Sequence, residues 1–144
     1  MASIVSPVDL LGGAKILGKK IKDPYGINER IRAGLPYAAL EKMQKALSLS
    51  REETAAALSI PLRTLARRKR ERHLSAPESD RLYRIARVFA HATKVFGQEE
   101  WAAEWFRAPH LVLGMETPLS RLDTDPGVTQ VDEILFRIEY GVYS

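Results

Sequence analysis

The chain has 144 residues, 45% of them hydrophobic and 28% charged, enough to build a core in one ordinary domain or two very small ones. It contains no cysteine, which excludes disulfides, thiolate nucleophiles and sulfur-ligated zinc and makes a reducing cytoplasm its simplest location. The net charge of +4 conceals an asymmetry: residues 61 to 73 carry six basic side chains and one acid, whereas residues 74 to 144 carry seven basic and eleven acidic ones. A basic middle and an acidic second half read as two surfaces for two different partners. No apolar run approaches the roughly 20 residues of a membrane span, so no membrane association is expected. The early stretch "VDLLGGAKILGKK" has its lysines after the apolar part, the reverse of a secretory signal.

In chain order the pattern is helical throughout, with no convincing strand. Residues 1 to 36 form an N-terminal segment, expected to be partly helical. "LPYAALEKMQKALSLS" places Leu40, Met43, Ala46 and Leu47 at spacings of three and four, one apolar stripe on a helix ending near Ser48. Ser50 and Glu53 then form a capping box, in which each side chain satisfies an orphan N–H at a helix start. Ala55, Ala56 and Ala57 allow another backbone to come close. Ser59, Ile60 and Pro61 break this helix, and proline is tolerated in the first turn of the next because its missing donor would be unpaired there.

That next helix holds "RTLARRKRER". Two short helices joined by a tight turn, the second one basic, make a helix-turn-helix pattern. Ala55 is the small residue at the crossing, Ile60 the apolar plug under the turn, and Leu65 directs one side of the second helix to the core. Its outward face is expected to carry Leu62, Arg63, Ala66, Arg67 and Arg70. A major groove about 12 Å wide admits an α-helix, and the planar arginine fork suits guanine edges and phosphates. Arg63 and Arg67 are assigned to base edges, and Arg68, Lys69, Arg70 and Arg72 to phosphates. Ser59 stands where such turns often have glycine.

Downstream, Ser75 and Glu78 make a second capping box with Pro77 in the first turn. Leu82, Ile85, Ala86, Val88, Phe89, Ala92, Val95 and Phe96 line one face over about six turns, and Gly97 closes this helix. So wide a stripe suits either a core or a dimer seam. "QEEWAAEWFRAP" reads as a short helix with acids in its first turn, and Trp101 and Trp105, four apart, as sharing a face. Turns are expected at Gly114 and at Asp125, Pro126 and Gly127, a short helix at Pro118 capped by Thr117, and a last helix with Val128, Val131, Ile134, Leu135 and Ile138 that ends at Gly141. His73, His91 and His110 lie far apart, and no H-E-x-x-H, P-loop or G-x-S-x-G occurs, so neither catalytic nor metal-binding residues nor a cofactor are expected.

"IPLRTLARRKRERHLSAPESDRL", followed by "WFRAPHLVLGMETPLSRLDTDPGVTQV" and the ending "RIEYGVYS", resembles the Xre/MbcA/ParS antitoxins, in particular the Xre partner of RES-domain toxins, over about residues 35 to 144. The resemblance implies an all-α antitoxin: a helix-turn-helix DNA-binding domain over 37 to 73, then a helical dimerisation and toxin-binding domain over 74 to 144. It implies a homodimer that binds and blocks a cognate RES-domain toxin, an NAD-consuming enzyme resembling ADP-ribosyltransferases, and represses its own operon at operator DNA. Arg63, Thr64, Leu65, Arg67 and Arg68 match the "RTLxRR" core of the family's DNA-reading helix. Trp105, Pro109, Leu113, Gly114, Pro118, Leu119, Leu122, Gly127 and Val131 match its toxin-binding domain, with Gly114 and Gly127 expected as turns and Leu119 and Val131 as core. A glycine is expected where this chain has Met115. Trp105 and the tail, with Arg137, Glu139, Tyr140, Val142, Tyr143 and Ser144, are the candidates for toxin contact, Tyr140 and Tyr143 as amphipathic anchors. An acidic half also suits the arginine-lined phosphate pocket of such toxins. The alternative is a helix-turn-helix regulator whose second half only dimerises or senses a ligand.

Overall fold

A computed structural model describes residues 5–22 and 24–141. The secondary structure among them is helical, with two isolated β-bridges and no strand. Helix α1, Pro7–Leu10, opens with a capping box between Ser6 and Asp9 and leads to α2, Gly13–Leu17, and a 3-10 turn, Lys19–Lys22. Leu10, Leu11, Leu17 and Ile21 are buried, so this segment packs as part of the common core. α1 lies against both α4 (Tyr37–Leu47) and α7 (Ala76–Phe96), and α3 (Pro24–Ala33) also packs on α7.

At the α3–α4 junction the chain passes very close to the residues that follow the basic helix α6 (Leu62–Glu71). Gly34 has φ +96°, and a Cβ there would sit 2.3 Å from the Leu74 carbonyl oxygen, so only glycine fits. Across this contact Leu74 N donates to Leu35 O at 2.8 Å and Tyr37 N to Arg72 O at 2.9 Å. Leu35 N in turn donates to the Ser79 hydroxyl at 2.7 Å. The end of α6, the start of α4 and the start of α7 are therefore held at one point.

Helix α5, Arg51–Leu58, begins at the expected Ser50/Glu53 capping box. It ends at Ser59, which adopts the left-handed conformation at φ +56°, the geometry that explains why glycine is common there. α6 and α7 follow, α7 from the expected Ser75/Glu78 capping box to Gly97. α8, Glu99–Arg107, and α9, Asp125–Glu139, then fold back on α7.

The long apolar stripe of α7 is core. Leu82, Ile85, Ala86, Val88, Phe89 and Ala92 are buried within this one chain, against α8 and α9 and beside Phe106, Leu122, Val131 and Leu135. Phe89 and Phe106 stack at a centroid distance of 5.8 Å. Burying each large side chain stabilises the fold by about 1.5–3 kcal/mol, so most of the stripe is satisfied internally, with Val95 and Phe96 at its end half-buried.

One turn expectation is corrected. Asp125, Pro126 and Gly127 are the first turn of α9, whose N-cap Thr124 accepts from Gly127 N at 3.1 Å. Gly127 is needed for a different reason than turn geometry: a Cβ there would lie 1.9 Å from the Arg121 carbonyl oxygen. No helix among the described residues is long and apolar enough to cross a membrane.

Candidate nucleic-acid interface and toxin-binding half

α6 follows the α5–α6 turn through Pro61 and is anchored by Leu65, which is 2% exposed. Helical spacing then sorts the remaining positions. Arg63, Arg67 and Arg70, at i, i+4 and i+7, form one exposed row, and Leu62, Ala66 and Lys69 form the adjoining row, with Ala66 half-buried and the other two exposed. Arg72 is exposed at the helix end, and Thr64 is half-buried. The outward face is the one expected, and Lys69 and Arg70, in the last turn of α6, also complement the negative end of the helix dipole.

Arg68 is placed differently. It lies on the inward row, three residues after Leu65, and its guanidinium grips Glu78 with both arms: Nε donates to Oε1 at 2.7 Å and Nη2 to Oε2 at 3.0 Å. Nη1 donates to Glu71 at 3.0 Å. The Arg68 side chain is 19% exposed and that of Glu78 5%. The phosphate role expected for Arg68 is thus corrected to a clasp between α6 and α7, because its donors are already engaged by two carboxylates. These hydrogen bonds raise the pKa of Arg68 further. Burial alone would push Glu78 up, but the Arg68 hydrogen bond, the Ser75 N–H and the Arg68 charge outweigh it and hold the carboxyl below its ordinary value. The inward period of Leu65 was the sequence signal for this placement.

The α5–α6 turn also touches the second half. The Ser59 hydroxyl donates to Asp123 O at 3.0 Å, and Arg107 at the end of α8 makes a paired bridge to Glu53 at 3.2 and 3.1 Å. Neither link has a sequence signal, since the partners are 64 and 54 positions apart.

In that second half the two tryptophans diverge. Trp105 packs against Phe96, Phe106 and His110 at centroid distances of 5.5, 5.2 and 5.1 Å, whereas Trp101 is 54% exposed. Trp105 is therefore chiefly a packing residue. Arg137 and Glu139, expected in a tail, are the last turn of α9. Glu139 turns towards α7, where its carboxylate meets His91 Nε2 at 3.1 Å and Lys94 Nζ at 3.3 Å, while Asp132 holds His91 Nδ1 at 2.6 Å. The His91 hydrogen bond, then Lys94, keeps Glu139 below the ordinary carboxylate value despite some desolvation. Tyr140 is 70% exposed and stacks on exposed Phe136, ring planes 3° apart. Val142, Tyr143 and Ser144 lie outside the described residues. Met115 has φ +68°, which accounts for the glycine expected at that position.

Comparison with known proteins agrees with this two-part geometry. Residues 26–87 match the antitoxin Xre-like helix-turn-helix domain, and residues 91–141 match the antitoxin Xre/MbcA/ParS C-terminal toxin-binding domain. A protein of Photorhabdus laumondii named Antitoxin Xre is 33% identical over 120 residues, covering 82% of this chain and 81% of that protein. Antitoxin Xre of Yersinia enterocolitica is 30% identical over 118 residues, covering 81% and 80%. Antitoxin Xre of Pseudomonas putida is 43% identical over 83 residues, 57% of this chain and 52% of that protein. With both domains matched in order and two relatives covered over most of their length, the chain belongs to the Antitoxin Xre family, a family of regulators with a helix-turn-helix and a toxin-binding domain rather than of enzymes.

Proposed function

We propose that this chain is the antitoxin of a type II pair: as a homodimer it binds and blocks a RES-domain toxin that consumes NAD, and it represses its own operon by binding operator DNA. The observation that carries the DNA half is the exposed double row on α6, with Arg63 and Arg67 reading base edges and Lys69, Arg70 and Arg72 gripping phosphates, Leu62 and Thr64 lining the contact. The DNA-reading unit is residues 37–73 and the dimerisation and toxin-binding unit residues 74–144. The end of α9, with Arg137 and the exposed Tyr140, leads into the tail residues Val142, Tyr143 and Ser144 as the toxin contact.

The acidic character of the second half supports an arginine-lined partner. Among its exposed carriers are Glu99, Glu100, Glu104 and Glu133, whereas Glu139 is paired within the chain with Lys94 and hydrogen-bonded to His91. Expressing the adjacent reading frame with and without this chain, while following growth and cellular NAD, tests the proposal. NAD that collapses with the neighbour alone and recovers on co-expression supports it. A harmless neighbour that forms no complex refutes it and leaves a helix-turn-helix regulator.

A further inference from the structure

Between α8 and the 3-10 turn Pro118–Arg121 the chain forms a short loop that leaves the body at His110 and returns at Glu116. Its base is closed by His110 N donating to Glu116 O at 3.1 Å and Met115 N donating to His110 O at 2.9 Å. His110 Nε2 donates to Trp105 O at 2.9 Å, since a carbonyl can only accept. Arg121 binds the loop from behind, donating to Leu113 O at 3.2 Å and pairing with Glu116 at 2.8 Å. Leu113, buried, is the plug.

This rigid frame displays three apolar side chains to solvent: Leu111 is 84% exposed, Val112 58% and Met115 59%. Met115 is held at φ +68°, where a side chain other than glycine, asparagine or aspartate costs of order 1 kcal/mol or more. Three exposed apolar groups within five residues, one of them on strained backbone that a glycine would relieve, lie outside the hydrophobic core of this chain. Exposed apolar patches and retained strain mark contact sites.

We infer that the 110–116 loop is a convex anchor that inserts into an apolar hollow on the toxin. This rests on the reading proposed above and adds a surface to it beyond the α9 end and tail. Two observations select the toxin as occupant. The loop lies wholly within residues 91–141, the part matched to a toxin-binding domain. Its apolar area is on the order of a few hundred Å², well short of the ~800 Å² per partner that a stable homodimer buries, yet the right size for a hot spot inside a larger heterologous interface.

The test uses the full chain and the purified product of the adjacent reading frame. The Leu111→Ser/Val112→Ser double variant is expected to lose at least about tenfold in affinity for that protein, with operator binding, melting temperature and assembly mass by light scattering unchanged. Met115→Gly separates contact from folding: it is expected to weaken the complex about threefold or more while keeping or raising the melting temperature, because glycine relieves the backbone. Unchanged affinity in both variants, with the wild-type complex intact, overturns the loop anchor and leaves the antitoxin reading standing. Loss of affinity accompanied by a lower assembly mass also overturns it, making the loop a contact between copies. A wild-type chain that does not bind its neighbour removes both.

Discussion

Replacing Glu78 with Ala tests whether the DNA-reading helix is held by a clasp or merely by its single buried leucine. The substitution removes two charge-assisted hydrogen bonds from Arg68 and the acceptor of the Ser75 N–H at 2.9 Å. Breaking a buried pair by deleting one member costs about 3–5 kcal/mol. Arg68 retains Glu71 at 3.0 Å and some solvent access, which places the cost at about 2–3 kcal/mol. For a chain of this size that corresponds to a fall in melting temperature of roughly 6–12 °C. Urea titration of wild type, Glu78→Ala, Arg68→Ala and the double variant should give a coupling energy of about 1–3 kcal/mol between the two sites. Operator titrations at several salt concentrations supply the second readout. A clasp predicts that both single variants weaken DNA binding by similar factors with the salt slope unchanged, since α6 loses its orientation while its phosphate contacts remain in number. An Arg68 that contacts phosphate predicts instead that Arg68→Ala alone lowers the slope by about one. Additive stabilities within about 0.5 kcal/mol, together with that loss of slope, would refute the clasp.

Three further outcomes follow from the same structure. Arg67→Ala should weaken operator binding by about 1–3 kcal/mol and relax one position in a panel of single-base operator variants; uniform weakening across the panel would assign Arg67 to phosphate. Gly127→Ala should destabilise by about 3 kcal/mol or more, because its Cβ falls 1.9 Å from the Arg121 carbonyl oxygen and 2.9 Å from its carbon; a melting temperature near wild type would show that the α9 start can shift freely. Glu53 is held below 4.5, first by the Ser50 backbone N–H and also by Arg107 despite some desolvation, and Glu78 is held below it as described. A lowered folded value means that the stability they contribute is complete above the unfolded value and is lost as pH falls through the folded one. Urea midpoints should therefore drop from about pH 4.5 downward, and less steeply in Glu53→Gln and Glu78→Gln; parallel curves would contradict this assignment.

The helix starts were written in the sequence because a capping box is decided within four residues: Ser50 with Glu53 and Ser75 with Glu78 need only their own turn to form. The outward row of α6 was equally legible, since Leu65 fixes which side faces the core and helical period does the rest. What the sequence left open depended on partners far along the chain. Whether the α7 stripe meets another copy or its own chain was decided by α8 and α9 folding over it. Arg68 became a clasp only when Glu78 was brought alongside, and Gly127 became obligatory only when the Arg121 carbonyl came to rest against it. Trp101 and Trp105 share a helical spacing, yet Phe96 and His110 cover only one of them. Periodicity assigns a side chain to a face; the element that arrives at that face, and so the charge, cavity or contact it meets, is set by the packing of the whole chain.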